Sequence, residues 1–228
     1  RPAIYHFNPA GQLLNRYVPS GTGALGGQAP GFYGTETLPA EYSLRRQNRG
    51  FEAVAADFAA NILYAFIQTP LANPNRAASD ASQVIRMVGI DMTTGATVAE
   101  YVYLYEKAAF REQLTDKIGD AVYAGDGRFF IVERDVSVQR SGKKMLFEFT
   151  LEGATNLRAA GAPSLLPGQT LEQHSPDELV VAGIRAVEKV KVANLPSLGY
   201  FQGDKLEGLA LLPGGGLAVL NDNDFGIA

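Results

Sequence analysis

The sequence predicts an all-β protein, a β-propeller built from four-stranded antiparallel blades. Three observations lead to this prediction. Helical periodicity is scarce, short β-rich runs separated by Gly, Pro, Asn and Asp recur along the 228 residues, and these runs alternate between two kinds of hairpin. A four-stranded unit repeated in this way is typical of a propeller, in which the first strand of each blade lines a central channel.

The first kind of hairpin begins with a carboxylate beside small and aliphatic residues. It occurs at 52–55, 120–123 and 207–210, and the strands that follow it lie at 62–68, 128–135 and 217–221. Small side chains suit the crowded inner position of a blade. We therefore assign these hairpins to strands A and B of successive blades.

The second kind of hairpin has an apolar strand that ends in a polar residue, followed by a turn with glycine. Its first strands lie at 4–8, 84–91 and 145–150, and the turns contain Gly11, Gly95 and Gly153. These hairpins are strands C and D, so the chain reads C-D, A-B-C-D, A-B-C-D, A-B. In the second full unit an irregular insertion at about 158–185 precedes the fourth strand at 186–195, and we expect it to be a surface excursion.

The number of blades indicates one partial domain over residues 1–228. Even if the first and last hairpins joined into one blade, only three blades would result, whereas propellers have about 4 to 8. We therefore expect this chain to be a portion of a larger propeller. The missing blades are expected from sequence outside these residues or, alternatively, from another copy of the chain.

Composition and charge exclude several classes of function. The net charge of −4 and the pI of about 5.3 give no basic surface, so we expect no nucleic-acid partner. The absence of Cys and the presence of only two His exclude thiolate and multi-histidine metal sites, which leaves cations with oxygen ligands. No apolar run reaches the roughly 18 residues of a membrane span, so none is expected in this chain.

The second A-B hairpin contains a strong turn signal, Asp126-Gly127. Regular pairing across this turn predicts that Asp120 faces Glu133 and that Ile118 faces Asp135. In the last hairpin, a loop centred on Gly214-Gly215 predicts in the same way that Glu207 faces Asp222. Both hairpins would then place two carboxylates opposite each other at the same end of the sheet.

Two carboxylates about 5 Å apart repel each other by about 3 kcal/mol at an effective dielectric constant near 20, so something must offset the repulsion. A raised carboxyl pKa, an arginine or a bound cation would do so, and an acidic ring that stays hydrated without metal is a further alternative. A calcium ion at the channel mouth explains most of the pattern. The candidate ligands are Glu52, Asp120, Glu133, Glu207, Asn221, Asp222 and Asp224.

Several motifs resemble one known family. They are the segments 48–52 (NRGFE), 118–120 (IGD), 126–135 (DGRFFIVERD), 206–213 (LEGLALLP) and 221–226 (NDNDFG). From residue 48 to the end the chain resembles the phytase-like family, named for an esterase-like activity of phytase, although Ala53 stands where Gly is expected. The resemblance implies a β-propeller exported from bacterial cells, periplasmic or extracellular, with phosphoric-ester hydrolase activity.

The leading functional hypothesis is a calcium-assisted phosphoric-ester hydrolase with its site at the channel mouth. Its candidate catalytic carboxylates are Glu52, Asp120 and Glu207, one of which would act as a base toward water. Arg49, Arg134 and Lys143 could balance the charge of a substrate. Strand alternation, however, turns Arg134 away from Glu133, which favours an ion pair between blades for this arginine.

Two alternatives remain open. The first is a non-catalytic propeller that binds or organises components of the bacterial cell envelope, with at most a structural metal. The second is hydrolysis of lactones or carboxylic esters at a similar cation. The expected partner is accordingly a small-molecule phosphate ester or a cell-envelope protein.

Overall fold

The computed structural model describes residues 2–106, 115–200, 203 and 205–222. The strands within these residues are β1 (Ile4–Phe7), β2 (Leu13–Pro19), β3 (Thr35–Leu38), β4 (Phe51–Asp57), β5 (Ile62–Ile67), β6 (Val84–Asp91), β7 (Thr97–Leu104), β8 (Lys117–Gly125), β9 (Arg128–Arg134), β10 (Lys144–Thr150), β11 (Glu188–Asn194), β12 (Lys205–Leu211) and β13 (Leu217–Asp222). The α-helices are α1 (Thr22–Leu25), α2 (Arg76–Ala81) and α3 (Pro176–Val181), and short 3-10 helices lie at Ala40–Leu44, Leu171–Gln173 and Leu195–Leu198.

The strands form four sheets, which confirms the predicted β-rich class. The second sheet (β4-β5-β6-β7) and the third sheet (β8-β9-β10-β11) are antiparallel, and their strands follow chain order. The first sheet (β1-β2-β3) has antiparallel β1 and β2, with β3 added parallel to β2. The fourth sheet consists of β12 and β13. The predicted A, B, C and D strands all lie where the sequence placed them; β3 was not predicted.

The turn between β8 and β9 forms because both of its central residues adopt positive φ. Asp126 has φ of 52° and Gly127 has φ of 71°, the conformation that a two-residue hairpin turn requires. Gly125 opposes Arg128 next to this turn, as regular pairing predicts. The predicted turn is therefore confirmed, although the register changes further along the hairpin.

The second and third sheets pack face to face through aromatic side chains. Tyr64 of β5 meets Phe129 of β9 edge-on, with ring centroids 5.2 Å apart, and Phe66 meets Phe149 of β10 at 6.1 Å. Phe129 and Phe149 are themselves stacked at 4.9 Å. These interlocked rings fix the two sheets against each other and form the main core.

The other face of the third sheet packs against the fourth sheet. Val132 and Leu146 contact Leu206 and Leu209 in a separate apolar cluster. β4, the first strand of the second sheet, lies beside β8, the first strand of the third sheet, and β8 lies beside β12, the first strand of the fourth sheet.

Close approach between these first strands requires a glycine in β8. A Cβ added to Gly119 would lie 2.2 Å from the carbonyl oxygen of Leu206 on β12. On the other side of β8, the Ile118 N–H donates a hydrogen bond to the carbonyl oxygen of Gln68 at 3.0 Å. Backbone contacts therefore join β8 to both neighbouring sheets.

The predicted insertion is packed against the second sheet instead of projecting from the surface. Leu171, Leu179 and Ile184 are buried against Val84 and Val102 of β6 and β7. The insertion holds this position because its apolar side chains cover the outer part of the sheet, a burial that loop composition does not reveal.

A buried ion-pair network reinforces the insertion. Arg86 of β6 donates two hydrogen bonds to Glu172, at 2.5 and 3.0 Å, and one to Glu100 of β7 at 3.0 Å. Arg158 completes the pairing of Glu100 at 2.8 Å. The charges of Arg86, Glu172 and Glu100 are nearly inaccessible to water, so each needs these partners to remain buried.

The four sheets do not close into a ring within the residues that the structure describes. Among those same residues, no helix is both long and apolar enough to cross a membrane.

Candidate active site

β4, β8 and β12 each contain a β-bulge near the start of the strand. In β4, Phe51 opposes Ile67 and Ala53 opposes Phe66, so Glu52 is the extra residue. In β12, Glu207 occupies the same place between Leu206 and Gly208. A bulge leaves its extra residue unpaired and redirects the side chain, and here it directs two carboxylates toward a common region.

The bulge in β8 overturns the predicted pairing of that hairpin. Glu133 faces Ile118, whereas the sequence placed it opposite Asp120 and placed Ile118 opposite Asp135. The register shifts once between Tyr123 and Gly125 and again between Ile118 and Ala121. Each shift moves the pairing by one residue, so a register extrapolated from the turn is wrong beyond the first pair.

The predicted pairing in the last hairpin is also wrong. Asp222 faces Lys205, and Asn221 faces Leu206, whereas the sequence placed Asp222 opposite Glu207. The loop is centred on Gly214 instead of between Gly214 and Gly215, which moves the pairing by one residue, and the bulge at Glu207 moves it by one more. Asp224, the remaining predicted ligand in this segment, lies outside the described residues.

Asp120 is not equivalent to Glu52 and Glu207. Glu52 and Glu207 each come directly after the last paired residue before the bulge, Phe51 in β4 and Leu206 in β12. In β8 that paired residue is Ile118, so Gly119 takes the equivalent position and Asp120 lies one position later. Its carboxylate points to the fourth sheet, where Oδ2 accepts from the Leu209 N–H at 2.7 Å, and Oδ1 accepts from the Ala121 N–H at 2.8 Å. Burial raises the pKa of Asp120, and these two hydrogen bonds oppose the rise. Asp120 therefore joins two sheets.

Glu133 lies on the opposite face of β9 from Arg134, and it is fully buried. Its Oε1 accepts from the Tyr103 hydroxyl at 2.6 Å and from Lys189 Nζ at 2.5 Å. Its Oε2 accepts from the Glu106 N–H at 2.6 Å and from Thr115 Oγ1 at 2.9 Å. With four donors from other strands and loops, Glu133 holds the second and third sheets together and takes no part in the cluster around Glu52.

The cluster itself is organised around Glu52 and Arg134. Burial raises the pKa of Glu52 to about 7, and the negative charge of Glu207 adds to the rise. The positive charges of Arg134 and Arg49 and a hydrogen bond from Gln68 oppose it. Glu52 can therefore gain or lose a proton near neutral pH, as a general acid or base must.

Arg134 joins the third sheet to the fourth. Its buried guanidinium donates to Glu207 Oε1, while the Glu207 side chain remains 24% exposed. This pair confirms the ion pair between sheets that strand alternation predicted for Arg134. The repulsion between carboxylates is thus offset here by an arginine, which was one of the alternatives left open by the sequence.

Two further groups complete the cluster. Burial lowers the pKa of Lys117; the carboxylate of Asp116, 3.3 Å away, opposes this, and the charges of Arg134 and Arg49 lower the pKa further. Gln68 is buried, and its Oε1 has no hydrogen-bond partner within the part of the chain that the structure describes. A buried acceptor without a donor is costly, so this oxygen is suited to accept a hydrogen bond from water or from a ligand.

Sequence reasoning did not include Gln68 as a site residue, although the side chain of Gln68 hydrogen-bonds Glu52. It missed Lys117 altogether. Lys143, proposed to balance substrate charge, lies beside Asp135, whose Oδ2 accepts its backbone N–H at 2.9 Å. A signal for Lys117 was its position directly before Ile118, on a predicted inner strand where a charged residue needs a partner.

The predicted calcium ligands do not come together in the described residues. No group of three or more His, Asp or Glu side chains among them is arranged to hold a metal ion. Asp120 accepts two hydrogen bonds from backbone N–H groups, Glu133 accepts four from other parts of the chain, and Glu207 is paired with Arg134. The described residues therefore do not fit the calcium site as drawn from the sequence, and calcium binding stays a prediction.

One comparison with known proteins gives a match. A family model described as Phytase-like, esterase-like activity of phytase, matches residues 1–225. No curated protein and no solved structure matches the chain. The match extends the resemblance, which the motifs carried from residue 48, to nearly the whole chain.

Proposed function

The chain belongs to the Phytase-like family, and we propose that it is a phosphoric-ester hydrolase whose site is the cluster around Glu52 and Arg134. We further propose that its sheets are consecutive blades of a β-propeller. The side-by-side first strands β4, β8 and β12 support this arrangement, because they occupy the position of channel-lining strands. The exported, periplasmic or extracellular location implied by the family is part of the same proposal.

The observation that carries the proposal is the convergence of acidic and basic groups from three sheets. Glu52 of the second sheet and Glu207 of the fourth occupy the same bulge position, and Arg134 of the third sheet interacts with both. Within this cluster, Glu52 and Glu207 lie at β-bulges and Arg134 is buried. Such concentrations of perturbed ionisable groups occur preferentially at functional sites.

Each side chain has a chemical role in the proposed reaction. The guanidinium groups of Arg49 and Arg134 and the ammonium group of Lys117 supply the positive charge that binds a phosphate ester. Glu52 in its ionised form takes a proton from water while the water oxygen attacks phosphorus and the bond to the leaving oxygen breaks; the leaving oxygen departs with the bonding electron pair and takes up a proton from solvent. The free Oε1 of Gln68 accepts the second proton of that water as a hydrogen bond and orients it.

A calcium ion remains a separate proposal for the same end of the sheets. Glu52, Arg49, Arg134 and Lys117 provide acid-base and cationic groups without a metal ion, and a chelator separates the contribution of calcium from theirs.

The test is the hydrolysis of p-nitrophenyl phosphate by the purified chain. We expect Glu52→Gln to lower kcat by about 100-fold or more, because general-base catalysis contributes about 10² to 10⁴. Arg49→Gln should mainly raise KM. In the wild type, kcat/KM should rise through pH 7 as Glu52 ionises.

Matched controls are Glu188→Gln and Arg128→Gln, which remove exposed charges on β11 and β9 away from the cluster. Activity that Glu52→Gln leaves unchanged would refute the assigned base. No turnover of phosphate esters, lactones or carboxylic esters, with or without added calcium, would favour the non-catalytic envelope-binding module. Activity lost with a chelator and restored by calcium would add the metal to the mechanism.

A further inference from the structure

Two of the three positive charges in the cluster are already balanced by carboxylates. Arg134 is buried and pairs with Glu207. Lys117 is also buried, and its Nζ lies 3.3 Å from Oδ2 of Asp116. Buried ion pairs stay together, because separating them would leave a buried charge without its partner. Arg134 and Lys117 can therefore donate hydrogen bonds to a ligand, but they add little net positive charge.

Arg49 supplies the remaining positive charge. Its guanidinium donates a hydrogen bond to the carbonyl oxygen of Asn48 at 3.2 Å, and it forms no ion pair within the described part of the chain. Arg49 is partly exposed, and its charge acts on Glu52. A ligand beside Glu52 that carries one negative charge would therefore be balanced by Arg49, whereas a second negative charge would have no cation of its own in the cluster.

Glu52 limits the negative charge that a substrate can bring. Burial, together with the charge of Glu207, raises the pKa of Glu52 to about 7, and Glu52 must be ionised to take a proton from water. A negative charge on the substrate raises this pKa further. At a pH below the pKa, each further unit lowers the ionised fraction about tenfold. Two negative charges on the substrate therefore keep Glu52 protonated, whereas one charge balanced by Arg49 leaves it able to act as a base.

Phosphate esters differ in charge according to the number of their ester bonds. A phosphomonoester loses its second proton near about pH 6, so it carries almost two negative charges at neutral pH. A phosphodiester has a single ionisable oxygen and carries one negative charge. The charge that the cluster can balance while Glu52 stays ionised is that of the diester.

The second ester group of a diester needs space beside Glu52. Glu52 and Phe51 of β4 line a cavity of about 460 Å³ between the first and second sheets, together with apolar and aromatic side chains that include Tyr5, Phe7 and Val54. Within the described part of the chain, neither lysine nor arginine lines this cavity. The cavity therefore suits an uncharged, apolar ester group and offers no cation to a further phosphate.

We propose that the substrate of this site is a phosphodiester with an uncharged, apolar ester group in the cavity between the first and second sheets. This inference rests on the proposed hydrolase function. Water attacks phosphorus and gives one proton to Glu52, while the bond from phosphorus to one ester oxygen breaks. That oxygen leaves with the bonding electron pair and takes up a proton from solvent, which yields an alcohol or phenol.

The other product is a phosphomonoester that keeps the second proton of the water on its new P–OH group. Loss of this proton gives the product a second negative charge near neutral pH. The cluster does not balance that charge, so the ionised product is repelled by the carboxylates of Glu52 and Glu207 and leaves more readily than the substrate.

The first test compares two substrates that share one leaving group. They are p-nitrophenyl phosphate, a monoester, and methyl p-nitrophenyl phosphate, a diester. At pH 7 we expect kcat/KM to be at least about tenfold higher for the diester, which corresponds to one unit in the pKa of Glu52. A higher value for the monoester that Glu52→Gln abolishes would overturn the diester inference and leave the proposed hydrolase in place. Turnover of neither substrate, or turnover that Glu52→Gln leaves unchanged, would overturn both.

A second diester tests the cavity. Bis(p-nitrophenyl) phosphate has an aromatic second ester group, and we expect its KM to be about tenfold lower than that of the methyl diester. Val54→Asn places a polar group in the wall of the cavity and should reduce this difference. Equal KM values for the two diesters in the wild type would overturn the assignment of the ester group to the cavity.

The last test changes the charge of the cluster. Asp116→Asn removes the partner of Lys117 and adds one positive charge, so the ratio of kcat/KM for the methyl diester to that for the monoester should fall about tenfold. The ratio compares two substrates in one variant, so a change in the folded fraction cancels. Asp177→Asn, which removes an exposed carboxylate on α3, is the matched control and should keep the wild-type ratio. A ratio that Asp116→Asn leaves unchanged would overturn the proposal.

Discussion

Replacing Glu52 by Gln tests whether the cluster on β4, β9 and β12 carries a buried carboxyl that resists ionisation. The pKa of Glu52 in the folded protein is about 7, above its ordinary value of 4.5. Between these two pH values the folded state therefore binds more protons than the unfolded state, and the free energy of unfolding falls as pH rises. Above pH 7 the wild type carries the full free-energy cost of ionising the Glu52 carboxyl in the folded state, and Gln, which does not ionise, removes that cost.

The magnitude follows from the size of the pKa shift. A rise from 4.5 to about 7 corresponds to about 3 kcal/mol if the group were fully shielded from water. Glu52 is only partly buried, and solvent screening lowers the expected effect to about 1 to 2 kcal/mol. We expect Glu52→Gln to be more stable than the wild type by this amount at pH 8.5 and nearly equal to it at pH 4.

The assay is urea denaturation followed by circular dichroism at both pH values. Glu188→Gln on β11 removes an exposed carboxylate and is the matched control, expected to show little difference at either pH. A Glu52→Gln variant that is less stable than the wild type at pH 8.5, or equally affected at both pH values, would refute the reasoning.

Two further predictions concern contacts between sheets. Gly119→Ala should lower the free energy of unfolding by about 1 to 3 kcal/mol, because its Cβ would lie 2.2 Å from the carbonyl oxygen of Leu206; Gly216→Ala, whose Cβ meets nothing closer than 3.8 Å, should be nearly neutral. Glu133→Ala should cost about 3 to 5 kcal/mol, since it leaves Lys189 without its buried partner. Urea titrations measure both, and a nearly neutral result for either variant would contradict the packing described for it.

The positions of the strands could be predicted from the sequence because their signals are local. Alternating apolar residues and the Asp126-Gly127 turn define β8 and β9 without reference to the rest of the chain. The register could not be predicted, because the bulges in β4, β8 and β12 do not follow from the local pattern of apolar residues and turns. Gly119 approaches Leu206 on β12, a contact that links residues 87 positions apart in the sequence.

A shift of one residue in strand pairing decides which side chains reach the candidate site. A shift by one position turns a side chain to the opposite face of a sheet, and this is what separates Asp120 from Glu52 and Glu207. Asp120 accepts a hydrogen bond from the backbone N–H of Leu209. The position of β8 that is equivalent to Glu52 in β4 and Glu207 in β12 is occupied by Gly119. Asp120 therefore occupies a different position in its strand from Glu52 and Glu207, for a reason that strand assignment does not reveal.

For Arg134, in contrast, the alternation of side chains along the strand was enough to predict a tertiary contact. Glu133 and Arg134 are neighbours on β9, so they must point to opposite faces. The glutamate therefore meets Lys189 and Tyr103 on the side of the second sheet, and the arginine meets Glu207 on the side of the fourth. The direction was predictable, whereas the partner was not, because it depends on which sheet follows in space.

The charge balance of the cluster favours an anionic ligand. Arg49, Lys117 and Arg134 bring three positive charges, and the carboxylates that act on them are Glu52, Glu207 and Asp116. Below pH 7 Glu52 is largely protonated, which leaves the cluster with one excess positive charge. A phosphate ester would then bind where its charge is balanced, and by linkage its charge would draw Glu52 further toward the protonated form. Binding and proton transfer at this site are therefore coupled through the same carboxyl group.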